Sequence, residues 1–187
     1  MRRLVLRKHR TIGATLILLT IALLLAGCGK NLGGRETTGA PEGLSVSGEE
    51  TAPALTFTTT DREENEWTES CFSEFKLTIL NFWEPWCGPC VAEMPDLQKI
   101  SQDYADRGVQ VIGIYETPDA EADVDQILTE GGVAYPILHY SRDFDFLQTG
   151  FVPTTVIVDC QGKILVQPFA GSMDYDGWVE IVEANLE

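Results

Sequence analysis

The chain has 187 residues, room for one domain and a short extension, and its 44% apolar content is enough to build a core. Its formal net charge of -16 excludes the basic footprint that nucleic-acid binding needs. Five of its thirteen basic residues, Arg2, Arg3, Arg7, Lys8 and Arg10, lie at the extreme N-terminus, so the remainder is more acidic still and is repelled by anionic lipid headgroups.

The chain opens with a basic segment, MRRLVLRKHR, followed by an apolar run from Ile12 to Ala26. About 15 residues is short for a membrane span, which needs roughly 20, and suits an export signal. Leu25-Ala26-Gly27-Cys28 resembles the bacterial lipobox. That resemblance implies a signal peptide over residues 1–27 and a lipidated Cys28 as the first mature residue. An uncleaved anchor would give the same location, outside the cytoplasm and tethered to a membrane. Residues 28–53, rich in Gly, Ser, Thr and Glu, bury too little surface to order themselves and read as a flexible tether. A coil of that length spans roughly 25–30 Å.

The domain is expected over residues 54–187. Leu55–Thr60 alternates like a strand, with Glu66–Thr68 as its hairpin partner, and Glu69–Phe75 reads as a helical turn. Leu77–Phe82 and Val109–Tyr115 are apolar enough to be strands buried on both faces of a sheet. Between them Val91–Arg107 reads as a helix kinked at Pro95 and ended by Gly108. Ala120–Glu130 is an acidic helix stopped by Gly131-Gly132, Tyr135–Leu138 an edge element, and Arg142–Gln148 a helical turn. Thr154–Val158 and Lys163–Val166 flank the hairpin turn Asp159–Gly162, and Asp174–Leu186 closes the chain as a helix. The order predicts an α/β domain, a central mixed β-sheet flanked by helices, with an N-terminal β-hairpin extension.

Cys87 and Cys90 sit two residues apart in FWEPWCGPCVAEMP. A structural zinc site wants four ligands, yet His9 and His139 are the only histidines and Cys71 and Cys160 stand alone, so no metal site is expected. A staple across two intervening residues closes too small a loop to constrain the unfolded chain. A redox pair fits better. A strand running into a helix puts Cys87 at a helix N-terminus, where free N–H groups and the dipole favour a thiolate, and Cys90 one turn inside. Pro89 suits the first helical turn. One exposed nucleophile and one covered resolving thiol follow.

Phe82–Cys90 resembles the active-site segment of thioredoxins. Asn81 at the strand end, Glu93-Met94-Pro95 after the second cysteine, and Phe151-Val152-Pro153-Thr154-Thr155 about sixty residues later resemble the extracytoplasmic TlpA/ResA branch. The resemblance covers about residues 54–187 and implies the thioredoxin fold. By position, it makes Cys87 and Cys90 the redox-active disulfide and Pro153 a cis proline packed against them. The backbone of Val152 would pair with an extended client, Trp86 would cover the active-site surface, and Glu93 would help move a proton to or from Cys90. Trp83 is either part of that surface or core. Glu84-Pro85 departs from the branch; its carboxylate either faces the thiols and raises them or lies on the surface. Cys71 and Cys160 are expected to be partly buried free thiols, a second disulfide between them being the alternative.

The expected protein is a lipid-anchored extracytoplasmic thiol–disulfide oxidoreductase, a monomer without cofactor. It would reduce disulfides of exported client proteins, in the manner of cytochrome c maturation, and be re-reduced by a membrane electron donor of the thiol-relay type. Net disulfide formation is one alternative. Another is a Sco-like copper-delivery module using His139, although there three residues separate the cysteines. A peroxiredoxin-type peroxidase wants a Pro and a Thr or Ser at set positions before its cysteine, which residues 84–90 do not supply.

Overall fold

A computed structural model describes residues 54–186. The expected signal, the Cys28 lipidation site and the tether lie outside the described residues. Among those described, no helix is long and apolar enough to cross a membrane.

The first strand, β1 (Thr58–Thr60), pairs antiparallel with β2 (Glu66–Thr68) to form the expected hairpin. The main sheet contains β3 (Leu77–Phe82), β4 (Val109–Tyr115), β5 (Ile137–His139), β6 (Thr154–Asp159) and β7 (Ile164–Ala170), in the order β5-β4-β3-β6-β7. The β3–β4 and β4–β5 pairs are parallel, whereas β6 runs antiparallel to both β3 and β7. The central strands β3 and β4 are buried along their whole length, as their unbroken apolar runs require.

Among the described residues there are three α-helices: α1 (Gly88–Asp103), α2 (Glu121–Glu130) and α3 (Tyr175–Asn185). Met94, Leu97 and Ile100 of α1, Val124 of α2, and Trp178 and Val182 of α3 join Leu77, Ile79, Val109 and Val111 in one core on one face of the sheet. The other face is covered by Leu55, Phe57 and two 3-10 turns, Glu69–Phe72 and Arg142–Leu147, which bring Phe72, Phe144 and Leu147 against Leu80, Phe82 and Ile112. The sheet is thus flanked by helices, as expected, but of two kinds.

The N-terminal extension is fastened at both sheet edges. The Leu55 N–H donates to the Gly162 carbonyl at 2.8 Å, beside a turn in which Gly162 has φ of 75°. A Cβ there would lie 2.8 Å from the Leu55 oxygen, so glycine is required for this close approach. At the opposite edge the Thr59 hydroxyl donates to the His139 carbonyl at 2.7 Å, which helps shield β5. The strand expected to end at Val166 instead continues to Ala170, through Pro168. It can do so because β7 is an edge strand and the register shifts opposite Thr155–Ile157, where a residue without an N–H is tolerated.

Candidate active site

The first turn of α1 starts at Gly88, three residues earlier than its apolar periodicity indicates, because Cys87 itself caps the helix. The Cys87 Sγ accepts from the Cys90 N–H at 3.2 Å, and the Cys87 N–H donates to the Glu84 carbonyl at 2.9 Å. Cys87 and Cys90 are joined by a disulfide with Cα atoms 5.3 Å apart. Cys90 is fully buried and Cys87 is 5% exposed, so the expected contrast between an open and a covered sulfur is only slight in the disulfide form. The covering comes partly from Val152, whose carbonyl oxygen lies 3.5 Å from the Cys87 Sγ. The Val152-Pro153 bond is cis. The Pro153 carbonyl accepts from Gly171 N–H at 3.0 Å, which ties this loop to the end of β7. The fold therefore brings Cys87, Cys90, Val152 and Pro153 together from segments some sixty residues apart. Trp86 stands beside them, 72% exposed, whereas Trp83 is core.

Glu93 lies one turn beyond Cys90 and is 2% exposed, far from a solvated helix-face carboxylate. Asn81 Nδ2 donates to its Oε1 at 3.0 Å and the Met173 N–H to its Oε2 at 3.1 Å. Burial pushes the carboxyl up to about 7; these two bonds pull it down, and Asp96 adds a smaller upward push. The Asn81 amide also donates to Thr155 Oγ1 at 3.1 Å, while its Oδ1 is buried without a partner among the described residues.

Glu84 takes neither expected position. It is 9% exposed and turns toward the loop after β4, where its Oε1 accepts from the Glu116 N–H at 2.9 Å and its Oε2 from the Thr117 hydroxyl. Its sequence signal was only that it departs from its family; both partners lie more than thirty residues away. Cys71 and Cys160 are free thiols. Cys71 is half-buried, which pushes it up to about 11, but Cys160 is exposed at the β6–β7 turn rather than partly buried. Among the described residues, no group of three or more His, Cys, Asp or Glu is arranged to hold a metal ion. The His139 ring lies against Tyr115, centroids 5.3 Å apart.

A model of the AhpC/TSA family matches residues 50–167. Over 183 residues the chain is 29% identical to the thiol-disulfide oxidoreductase ResA of Geobacillus kaustophilus, covering 97% of each. It is 34% identical to ResA of Oceanobacillus iheyensis over 93 residues, 49% of this chain and 48% of that relative, so this match spans about half the relative's length. A thioredoxin-family thiol:disulfide interchange protein of Chlorobium tepidum shares its fold, with a TM-score of 0.65 at 23% identity over 75% of this chain and 100% of that one. With its Cys87-Cys90 pair in the CxxC arrangement on a thioredoxin-like fold, the chain belongs to the AhpC/TSA family and is a thiol–disulfide oxidoreductase.

Proposed function

We propose that the chain is a lipid-anchored oxidoreductase on the extracytoplasmic face of a bacterial membrane, where it reduces disulfides of exported clients of the cytochrome c maturation type. The observation that carries the reductive chemistry is the capped Cys87 at the start of α1, facing the Val152-Pro153 loop. In the dithiol form, the helix N-terminus and the Cys90 N–H stabilise a Cys87 thiolate. That thiolate attacks one client sulfur, and the other client sulfur leaves as a thiolate and takes a proton. Cys90 then gives up its proton, with Glu93 as the acceptor, and attacks the Cys87 sulfur. The second client sulfur leaves and is protonated in turn. Two electrons pass to the client with two protons, one taken from solvent in place of that shed by Cys87 and one from Cys90, and Cys87–Cys90 is left as the disulfide. A carboxyl held near 7 is suited to exchanging a proton at neutral pH. The backbone of Val152 pairs with the extended client segment, and a membrane thiol-relay donor restores the dithiol.

The anchor is supported by the basic start, the apolar run and Leu25-Ala26-Gly27-Cys28. Fatty-acid labelling of the expressed full chain tests it: label is expected on the wild type and lost with Cys28→Ala. Trapping tests the chemistry. Cys90→Ala should strand clients as mixed disulfides on Cys87, and equal trapping by Cys87→Ala would defeat the assignment of the nucleophile. A redox titration decides the direction, because a potential near the oxidising end of the oxidoreductase range would mean net disulfide formation.

A further inference from the structure

Trp86 and Phe151 are the two most exposed large apolar side chains among the described residues, at 72% and 74%. They are not scattered. Both line a groove of about 820 Å³ whose walls also include Val152, the residue against Cys87, together with Phe82, Tyr140 and Glu116. That volume lies within the roughly 300–1,000 Å³ of ligand clefts.

The charge on the lining has one sign. It includes Glu84 and Glu116 and no lysine, arginine or histidine. The two carboxylates differ in what they leave free. Those of Glu84 are occupied by the Glu116 N–H and the Thr117 hydroxyl. Glu116 is exposed, and Glu84 holds its backbone in place beside the groove. Its charge is felt at Tyr140, whose phenol is pushed up mainly by burial and a bond to Asp145, with Glu116 adding to both. Tyr140 donates that bond to Asp145 at 2.9 Å, which sets a second carboxylate behind it.

We propose that this groove selects an extended, cationic client segment: a bulky apolar side chain close to the half-cystine enters between Trp86 and Phe151, and a neighbouring lysine or arginine meets Glu116. This inference rests on the reading that the Val152 backbone receives the client. Such strand addition takes affinity from main-chain bonds and specificity from the pockets that alternate side chains enter. The apolar walls raise the local strength of the Glu116 field, as in other clefts lined by one sign of charge.

The test uses reduced wild-type protein and short synthetic peptides, each with one internal disulfide flanked by Phe-Lys, Phe-Glu, Gly-Lys or Gly-Glu. Single-turnover rates are measured near 0.15 M salt, where charges more than about 8 Å apart are largely screened at the surface. The Phe-Lys peptide is expected to react at least tenfold faster than either Phe-Glu or Gly-Lys. Glu116→Lys is expected to invert the order of Phe-Lys and Phe-Glu. Asp106→Lys changes the net charge equally, but lies in the turn beyond the far end of α1, about 24 Å from Cys87 along the helix axis, and should preserve that order. Equal rates across the four peptides would overturn the inference, as would equal shifts from Glu116→Lys and Asp106→Lys, which would assign the preference to net charge alone. Hydroxyethyl disulfide, small and uncharged, separates the two levels. Wild type that reduces it without discriminating among peptides defeats the groove only; wild type that reduces neither it nor any peptide defeats the reductive reading as well. Sedimentation of wild type and Trp86→Ala covers the other occupant, since a dimer that Trp86→Ala dissociates would mean that a second copy fills the groove, against the inference.

Discussion

Two buried glutamates stand on either side of the cysteine pair, and they are bonded in the same way. Glu84 and Glu93 each accept one backbone N–H and one side-chain donor. The difference lies in what those donors belong to and how completely water is excluded. The donors to Glu84 are consecutive residues of the loop after β4, so its carboxylate works as a brace that fixes one wall of the groove. The donors to Glu93 come from the buried strand β3 and from Met173, two residues before α3, and the carboxyl is sealed in the core and pushed up to about 7. Counting bonds would make the two equivalent. At Glu93 the two hydrogen bonds do not offset the burial of the carboxylate, to which Asp96 adds a smaller upward push.

The largest expected effect is on stability against pH. Glu93 has its ordinary value of 4.5 when unfolded and about 7 when folded, so the folded state holds the proton more tightly. Its contribution is full below pH 4.5 and is lost as pH rises through 7, a fall of roughly 3 kcal/mol from this group. Denaturant melts of the oxidised protein across pH 4.5 to 8 should show that slope. Glu93→Gln should remove it and Glu84→Gln should keep it. If the slope survives Glu93→Gln, the contrast between the two carboxylates fails.

Next in size is the rate. Glu93→Gln is expected to slow reduction of a model disulfide about 10–100-fold near pH 7 and to abolish a limb of the pH–rate profile centred there. Glu84→Gln should leave that limb in place, because its amide oxygen can still accept from Glu116. Glu84→Ala is expected to cost about 2 kcal/mol, since a buried acceptor disappears and the Glu116 N–H is left without a partner. Chemical denaturation checks this; a cost near zero would mean that the Glu84 carboxylate does not hold the loop.

Much of this site was legible in the chain itself. The Cys87-Gly88-Pro89-Cys90 spacing after an apolar strand marked a helix start with chemistry on it, and Val152-Pro153 supplied its companion. The buried runs of β3 and β4 placed both at one end of a sheet. What the sequence hid were properties set by distant partners. The i+3 spacing of Glu93 from Cys90 gave its helix face, but its burial depends on Asn81 and on Met173, eighty residues on. The turn of Glu84 away from the sulfurs depends on the loop after β4. Pro168 hid the second half of β7, because proline reads as a break unless the strand is known to lie at an edge. Cys160 was misplaced for the opposite reason: thiols are usually covered, yet its turn leaves nothing over it.

The smallest expected effect isolates the brace. Thr117→Val keeps the side-chain shape and the Glu116 N–H bond and removes only the hydroxyl that donates to Glu84 Oε2. Thr117 is only half-buried, so water can reach the freed oxygen and the cost should be about 1 kcal/mol. Combined with Glu84→Ala it should add almost nothing, because both changes break one bond, and a double-mutant cycle reads that coupling directly. Full additivity would show that Thr117 and Glu84 act separately, and that the loop after β4 is held by something other than the carboxylate beside Trp83.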